Sequence, residues 1–343
     1  MSEIHILRLR KTMQNKNFPI FCFGKLPTFS DFIRYNANVP EVANLDQWIR
    51  KGLYFSKNGL RRQLGDYWLQ APIYCSVFFP DGSSRAVVAA FRMSHDRSGR
   101  RYPFMIAALV DPGQFGYHRL PFIPIIFRSF FDQSAKFIQD AFDHGTDMGA
   151  IANFANSLKV PLDPDYSSLL RPYHEHTQQR RVADLFLDRG ESEDFYRYLL
   201  FRNLTEILIP LQLRDSPSQT TLGLKFPIGS PSDHSHSDAA SWIDMSYRLL
   251  GNPEAKSYYF WAATADQPYS NLFLFFRRPS PSFFVHLLKS DTSSESICDL
   301  AYEGPRKIES LVSYIPPVLH PLLRRDETTF ADFLKEAWKL KVT

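Results

Sequence analysis

Three apolar runs of strand length, at 73–79, 86–93 and 104–110, follow one another with only short polar connections. Each is nearly continuous in apolar residues, the pattern of a strand buried on both faces. Pro80-Asp81-Gly82 is a turn between the first two, and Ser98-Gly99 is the apex of the connection 94–101. Such short connections imply antiparallel pairing, because a parallel neighbour needs a crossover of about a dozen residues. A further run at 18–23 (FPIFCF) stops at Gly24, as a buried strand does.

Helices are expected around this sheet. One runs over 44–64, with Asn44 as N-cap and Leu45, Trp48, Ile49, Leu53, Leu60 and Leu64 near one face. Its other face carries Arg50, Lys51, Lys57, Arg61 and Arg62, and Gly65 is a reasonable stop. Further helices are expected at 123–142, 148–158, 193–207, 239–250 and 283–289, and further strands at 222–228, 257–262 and 271–276. The segment 28–35 reads as a short helix, 161–180 as a long surface connection, and 229–238 as the most loop-like stretch of the chain. This mixture predicts a layered α/β domain with a partly antiparallel sheet covered on both faces.

The expected organisation is a polar N-terminal segment (1–17), an α/β domain (18–290) and a helical C-terminal extension (291–343). Within the extension, 306–314 and 328–340 are helix candidates. Phe330, Phe333, Leu334 and Trp338 fall near one face of the second, which is expected to pack on the main body, with service as a partner helix the alternative.

With 44% hydrophobic residues in 343, including 30 Phe, the chain has ample material for a core. Lys and Arg number 40 against 36 Asp and Glu, a balance that does not build the basic stripe of a nucleic-acid binder. Cys22, Cys75 and Cys298 are too scattered for a disulfide framework. No run approaches the roughly 18 apolar residues of a membrane span, and 1–17 has no apolar signal core, so a cytoplasmic protein without membrane insertion is expected.

Tests for chemistry nominate no catalytic, metal or cofactor residue. Gly24-Lys25-Leu26-Pro27 follows a strand as a phosphate loop would, but the Walker spacing is absent. The stretch 233–238 (DHSHSD) and the pair His174 and His176 resemble metal ligands in type, without the fixed geometry such a site requires. No nucleophile elbow, zinc-protease motif or dinucleotide fingerprint is present.

The segment 94–104 (SHDRSGRRYPF) is more distinctive, crowding three arginines beside one aspartate. It reads either as a solvated or self-capping turn or as an arginine fork for a carboxylate or phosphate.

Together with Phe23-Gly24-Lys25-Leu26-Pro27 and Ser30-Asp31-Phe32, this segment resembles the TagF (ImpM-like) family of accessory proteins of bacterial type VI secretion systems. Trp48 and Trp68 fall in the family's order, and Ser94, Asp96, Arg97, Gly99, Arg100 and Pro103 match its Ser-x-Asp-Arg-x-Gly-Arg-x-x-Pro signature. Met93 stands where the family has proline, His95 where it has an apolar residue, and Tyr258-Tyr259-Phe260-Trp261 where it has tandem tryptophans. The resemblance covers 18–289 and is densest over 18–109.

It implies a three-layer α/β/α sandwich with a mixed sheet, no enzymatic activity and no cofactor. It also implies post-translational repression of secretion through the forkhead-associated (Fha) scaffold protein. Structural assembly of the apparatus, or phosphate chemistry at the Asp96 and Arg97 hairpin, are the alternatives. Gly24, Lys25, Leu26, Pro27, Asp31, Trp48, Ser94, Asp96, Arg97, Gly99, Arg100 and Pro103 are the residues expected to shape the fold, the contact surface or both.

Overall fold

The computed structural model describes residues 18–160, 165–185, 193–213, 221–228, 234–252, 254–262, 270–292, 294–301, 312–313 and 315–340. The polar segment 1–17 and most of the helix expected at 306–314 lie outside them.

The apolar runs form the middle of one sheet. Strands β1 (Ile20–Gly24), β2 (Ile33–Tyr35), β3 (Tyr74–Phe78), β4 (Ala86–Arg92) and β5 (Phe104–Val110) supply its first half. Strands β6 (Gly223–Ile228), β7 (Tyr258–Ala262), β8 (Ser270–Phe275) and β9 (Ile297–Asp299) supply the second. The order is β2-β1-β5-β4-β3-β7-β8-β6-β9, antiparallel throughout except for the parallel β6–β9 pair. The halves meet where β3 pairs with β7, placing Cys75 opposite Trp261.

Because side chains alternate across a strand, each run feeds two cores. Cys22, Cys75, Val88 and Ile106 enter one. Phe21, Phe23, Val87, Ala89 and Met105 enter the other. The second core is closed by helices α1 (Pro40–Leu60), α2 (Leu64–Gln70) and α8 (Phe284–Leu288). The first is closed by α3 (Arg128–Asp143), α4 (Met148–Ser157), α5 (Tyr166–Gln179), α6 (Glu193–Leu208), α7 (Ser235–Leu250) and α9 (Phe330–Ala337). The result is the three-layer α/β/α arrangement with a mixed sheet.

Several expectations are corrected. The stretch 28–35 is not helical: its last residues are strand β2, which pairs with β1 and buries Ile33. Helix α1 begins at Pro40 rather than after Asn44, since the fixed φ of proline suits a first helical position. Asn44 instead accepts a hydrogen bond from the Asp81 amide at 3.3 Å. The helix passes through Gly59 and breaks at Arg61, whose φ is +48°. Neither does Gly65 stop the chain, which re-enters helix as α2.

The connection expected over 161–180 holds α5, capped by Asp165 and tolerating Pro172 because Tyr173 and His176 are buried against the core. The last residues of the loop expected over 229–238 are the first turn of α7 and are buried.

Beyond 290 the chain is not a separate layer. Strand β9 extends the sheet, and α9 packs Phe333 against Phe201 with ring centroids 3.9 Å apart. A reciprocal box between Thr329 and Asp332 caps α9. Phe330, Phe333 and Leu334 are buried as expected, whereas Trp338 is 58% exposed.

Candidate functional site

Gly24 ends β1 with φ +126°, and a Cβ there would lie 2.0 Å from the Pro103 carbonyl oxygen. Only glycine allows this approach, so the two motif segments meet backbone to backbone. Pro27 then stiffens a turn closed by the Phe29 amide on the Leu26 carbonyl at 3.0 Å, while Leu26 is fully buried. This geometry aims Lys25 at the hairpin.

Asp96 is the centre of that hairpin and is fully buried. One carboxylate oxygen accepts from Lys25 Nζ at 2.7 Å and from Arg100 Nε at 2.7 Å. The other accepts from the Ser98 amide at 3.0 Å, the Ser98 hydroxyl at 2.8 Å and the Arg100 amide at 2.9 Å. Burial alone would raise its pKa, but the hydrogen bonds from Lys25, Ser98 and Arg100 outweigh burial and hold the carboxyl well below the usual range.

The two signature arginines turn back to the first motif. Arg97 donates through Nη2 to the Thr28 carbonyl at 2.5 Å, and Arg100 through Nη2 to the Ser30 carbonyl at 2.7 Å. The Arg97 amide also donates to the Phe29 carbonyl at 2.8 Å. Gly99 supplies the positive φ, +81°, at which its amide donates to the Asp96 carbonyl at 2.9 Å. Asp31 is 94% exposed and lies 3.8 Å from Arg100, a loose outer contact.

Two tryptophans fix this hub to the helical layer. Trp68 on α2 donates its indole N–H to the Ser94 carbonyl at 2.9 Å. Trp48, one residue of the expected set, lies away from the hub: it fills the core beneath α1 and donates to the Pro279 carbonyl at 2.9 Å. Tyr102 donates to Asp46 of α1 at 2.6 Å.

Of the expected residues, Gly24, Lys25, Leu26, Pro27, Ser94, Asp96, Arg97, Gly99, Arg100 and Pro103 therefore converge, while Asp31 is peripheral and Trp48 is a core residue. Ser98, legible in the sequence as the turn apex, is also a ligand of Asp96, since the amide two residues after an aspartate is the partner in an Asx turn. The carbonyls of Thr28 and Ser30 carry no side-chain signal and could not have been found from sequence.

Two of the candidate histidines pair with separate carboxylates. His176 Nε2 sits 2.9 Å from Asp238, and His236 Nε2 sits 3.0 Å from Asp132 while its Nδ1 accepts from Trp261 at 3.2 Å. Among the described residues no group of three or more metal-ligating side chains converges. Burial pushes the Cys22 thiol up to about 12 and, with the Asp132 charge, raises that of Cys75, so both are poor nucleophiles at neutral pH. No described helix is long and apolar enough to cross a membrane.

The fold is an α/β sandwich in which the Asp96 carboxylate of the hairpin is paired internally with Lys25 and Arg100. Residues 22–158 match the TagF N-terminal domain, described as Type VI secretion system-associated. Over these residues, less than half of its length, the chain is similar to that domain. The crystal structure of PA0076 from Pseudomonas aeruginosa PAO1 at 2.05 Å resolution is similar over 80% of this chain and 96% of that one, with 16% identity and a TM-score of 0.47. No curated protein matches the sequence.

Proposed function

We propose that this chain is a non-catalytic, cytoplasmic accessory protein that represses type VI secretion after translation by binding the Fha scaffold of the apparatus. The type VI association in this reading is supported by the match of residues 22–158, and its non-catalytic part by the closed hydrogen-bond shell of Asp96. Both its oxygens are occupied, and Arg97 and Arg100 spend donors on backbone carbonyls. A residue set used in this way holds loops in place. It offers no poised acid, base or nucleophile of the kind that phosphate chemistry at the hairpin would need.

An Fha domain itself reads phosphothreonine through arginines, so a basic surface here would repel that pocket and contact falls elsewhere on the scaffold. The test is a calorimetric titration of the purified chain into the Fha scaffold of the same bacterium. Saturable binding with micromolar or tighter affinity is expected, with no change in the scaffold's phosphorylation. Absence of binding, or loss of phosphate from the scaffold on mixing, contradicts the proposal.

A further inference from the structure

Helix α1 buries Leu45, Trp48, Ile49, Gly52, Ser56 and Leu60 against the sheet and α8. Its opposite face is unusual in what it leaves in water. Tyr54 is 66% exposed and Phe55 44%, their rings edge to face at 6.0 Å. Lys51, Lys57, Arg61 and Arg62 surround them, all exposed. Leu69 of α2 adds an apolar side chain, 59% exposed.

Arg50 on this face is already paired with Asp46 at 2.9 Å. Lys51, Lys57, Arg61 and Arg62 enter no ion pair among the described residues, and none of them caps the Tyr54 or Phe55 ring. The hairpin contributes one more cation: the Arg101 guanidinium lies beside Gly65, 3.1 Å from where a Cβ would stand. The patch therefore has an uncovered aromatic centre and an uncompensated cationic rim, the anatomy of a protein contact.

We propose that this face of α1, centred on Tyr54 and Phe55 and flanked by Lys51, Arg61 and Arg62, docks an acidic segment of a partner protein in which Asp and Glu alternate with large apolar residues. Charge complementarity selects the acidic residues and the two rings select the apolar ones. From residue 50 to residue 61 the face is only about 16 Å long at 1.5 Å per residue, which spans few phosphates of a nucleic acid. Exposed Asp66 and the partly buried Asp46 at its margins oppose a flat anionic membrane. The inference rests on the reading of the chain as a protein-binding regulator, but not on which protein is bound.

The experiment places photo-reactive benzoylphenylalanine at Tyr54 of the full chain in its own bacterium and sequences what is cross-linked. The expected product is a peptide rich in Asp and Glu. Its yield should fall at least tenfold in a Lys51→Glu/Arg61→Glu/Arg62→Glu background whose melting temperature is unchanged. If that background melts lower, Phe55→Ser with the same cross-linker is read instead, with a several-fold loss expected. Cross-links to lipid or nucleic acid, to a neutral or basic peptide, or with a yield indifferent to both backgrounds, overturn the inference, as does no cross-link at all. Titration with the Fha scaffold separates the two proposals. Undiminished scaffold binding by the charge-reversed chain, with no cross-linked acidic peptide from any protein, refutes this surface alone. A cross-linked acidic peptide from another protein, with no scaffold binding by the wild type, refutes the scaffold reading alone.

Discussion

Removing the charge at position 96 leaves the largely buried Lys25 ammonium and the half-exposed Arg100 guanidinium facing a neutral group. Breaking a buried pair from one side costs about 3–5 kcal/mol, and the exposure of Arg100 places Asp96→Asn toward the lower end, about 3 kcal/mol. The pH dependence follows from the depressed carboxyl pKa. The unfolded carboxyl titrates near about 3.9, so the stabilisation is complete above that value and is lost as pH falls below it toward the folded value. Urea unfolding across pH should therefore show a constant advantage of wild type over Asp96→Asn from neutral pH to about 5, shrinking below about 4. An advantage that fades between pH 7 and 5 contradicts this account of the hub. The identity of the hub residues was legible in the sequence, and their use was not. An Asp-Arg-x-Gly-Arg run is compatible with gripping a foreign anion, and only the approach of Gly24 to Pro103, which brings Lys25 and two backbone carbonyls alongside, turns it inward.

At the scale of elements, continuous apolar runs fixed the central strands because burial on both faces leaves no polar alternation to confuse them. The elements that the sequence pattern does not show are those whose signal is tertiary. Strand β2 is a short edge held by three paired positions on β1, too brief for a periodicity. Helix α5 carries Pro172 and a polar surface, and it persists because Tyr173 donates to Asp244 of α7 at 2.8 Å. The first turn of α7 looked like a loop because Ser and His dominate it, yet Ser235, His236 and Asp238 are all buried beneath neighbouring helices. Helix α9 shows that the segment beyond 290 belongs to the core, with Phe330 against Trp242 and Phe333 on Phe201. Phe333→Ala should accordingly cost about 3–5 kcal/mol in chemical unfolding, with a single transition. A loss under 1 kcal/mol, or a separate early transition, would show that α9 is an appendage.

At the scale of the molecule, the sheet joins its two halves at the antiparallel β3–β7 pair, and helices cover it on both sides. The hub locks the loops at one place in the first half, while α1 presents its basic and aromatic face outward. In the proposed account, binding of the chain withholds the scaffold from the secretion apparatus. The measurement that tests this most directly is the amount of a type VI substrate in the culture medium, compared between the wild type, a strain lacking the gene and a strain overproducing the chain. Secretion should rise in the deletion strain and fall on overproduction. Secretion abolished by the deletion would mark an assembly factor, and secretion unchanged in both strains would remove the chain from control of the system altogether.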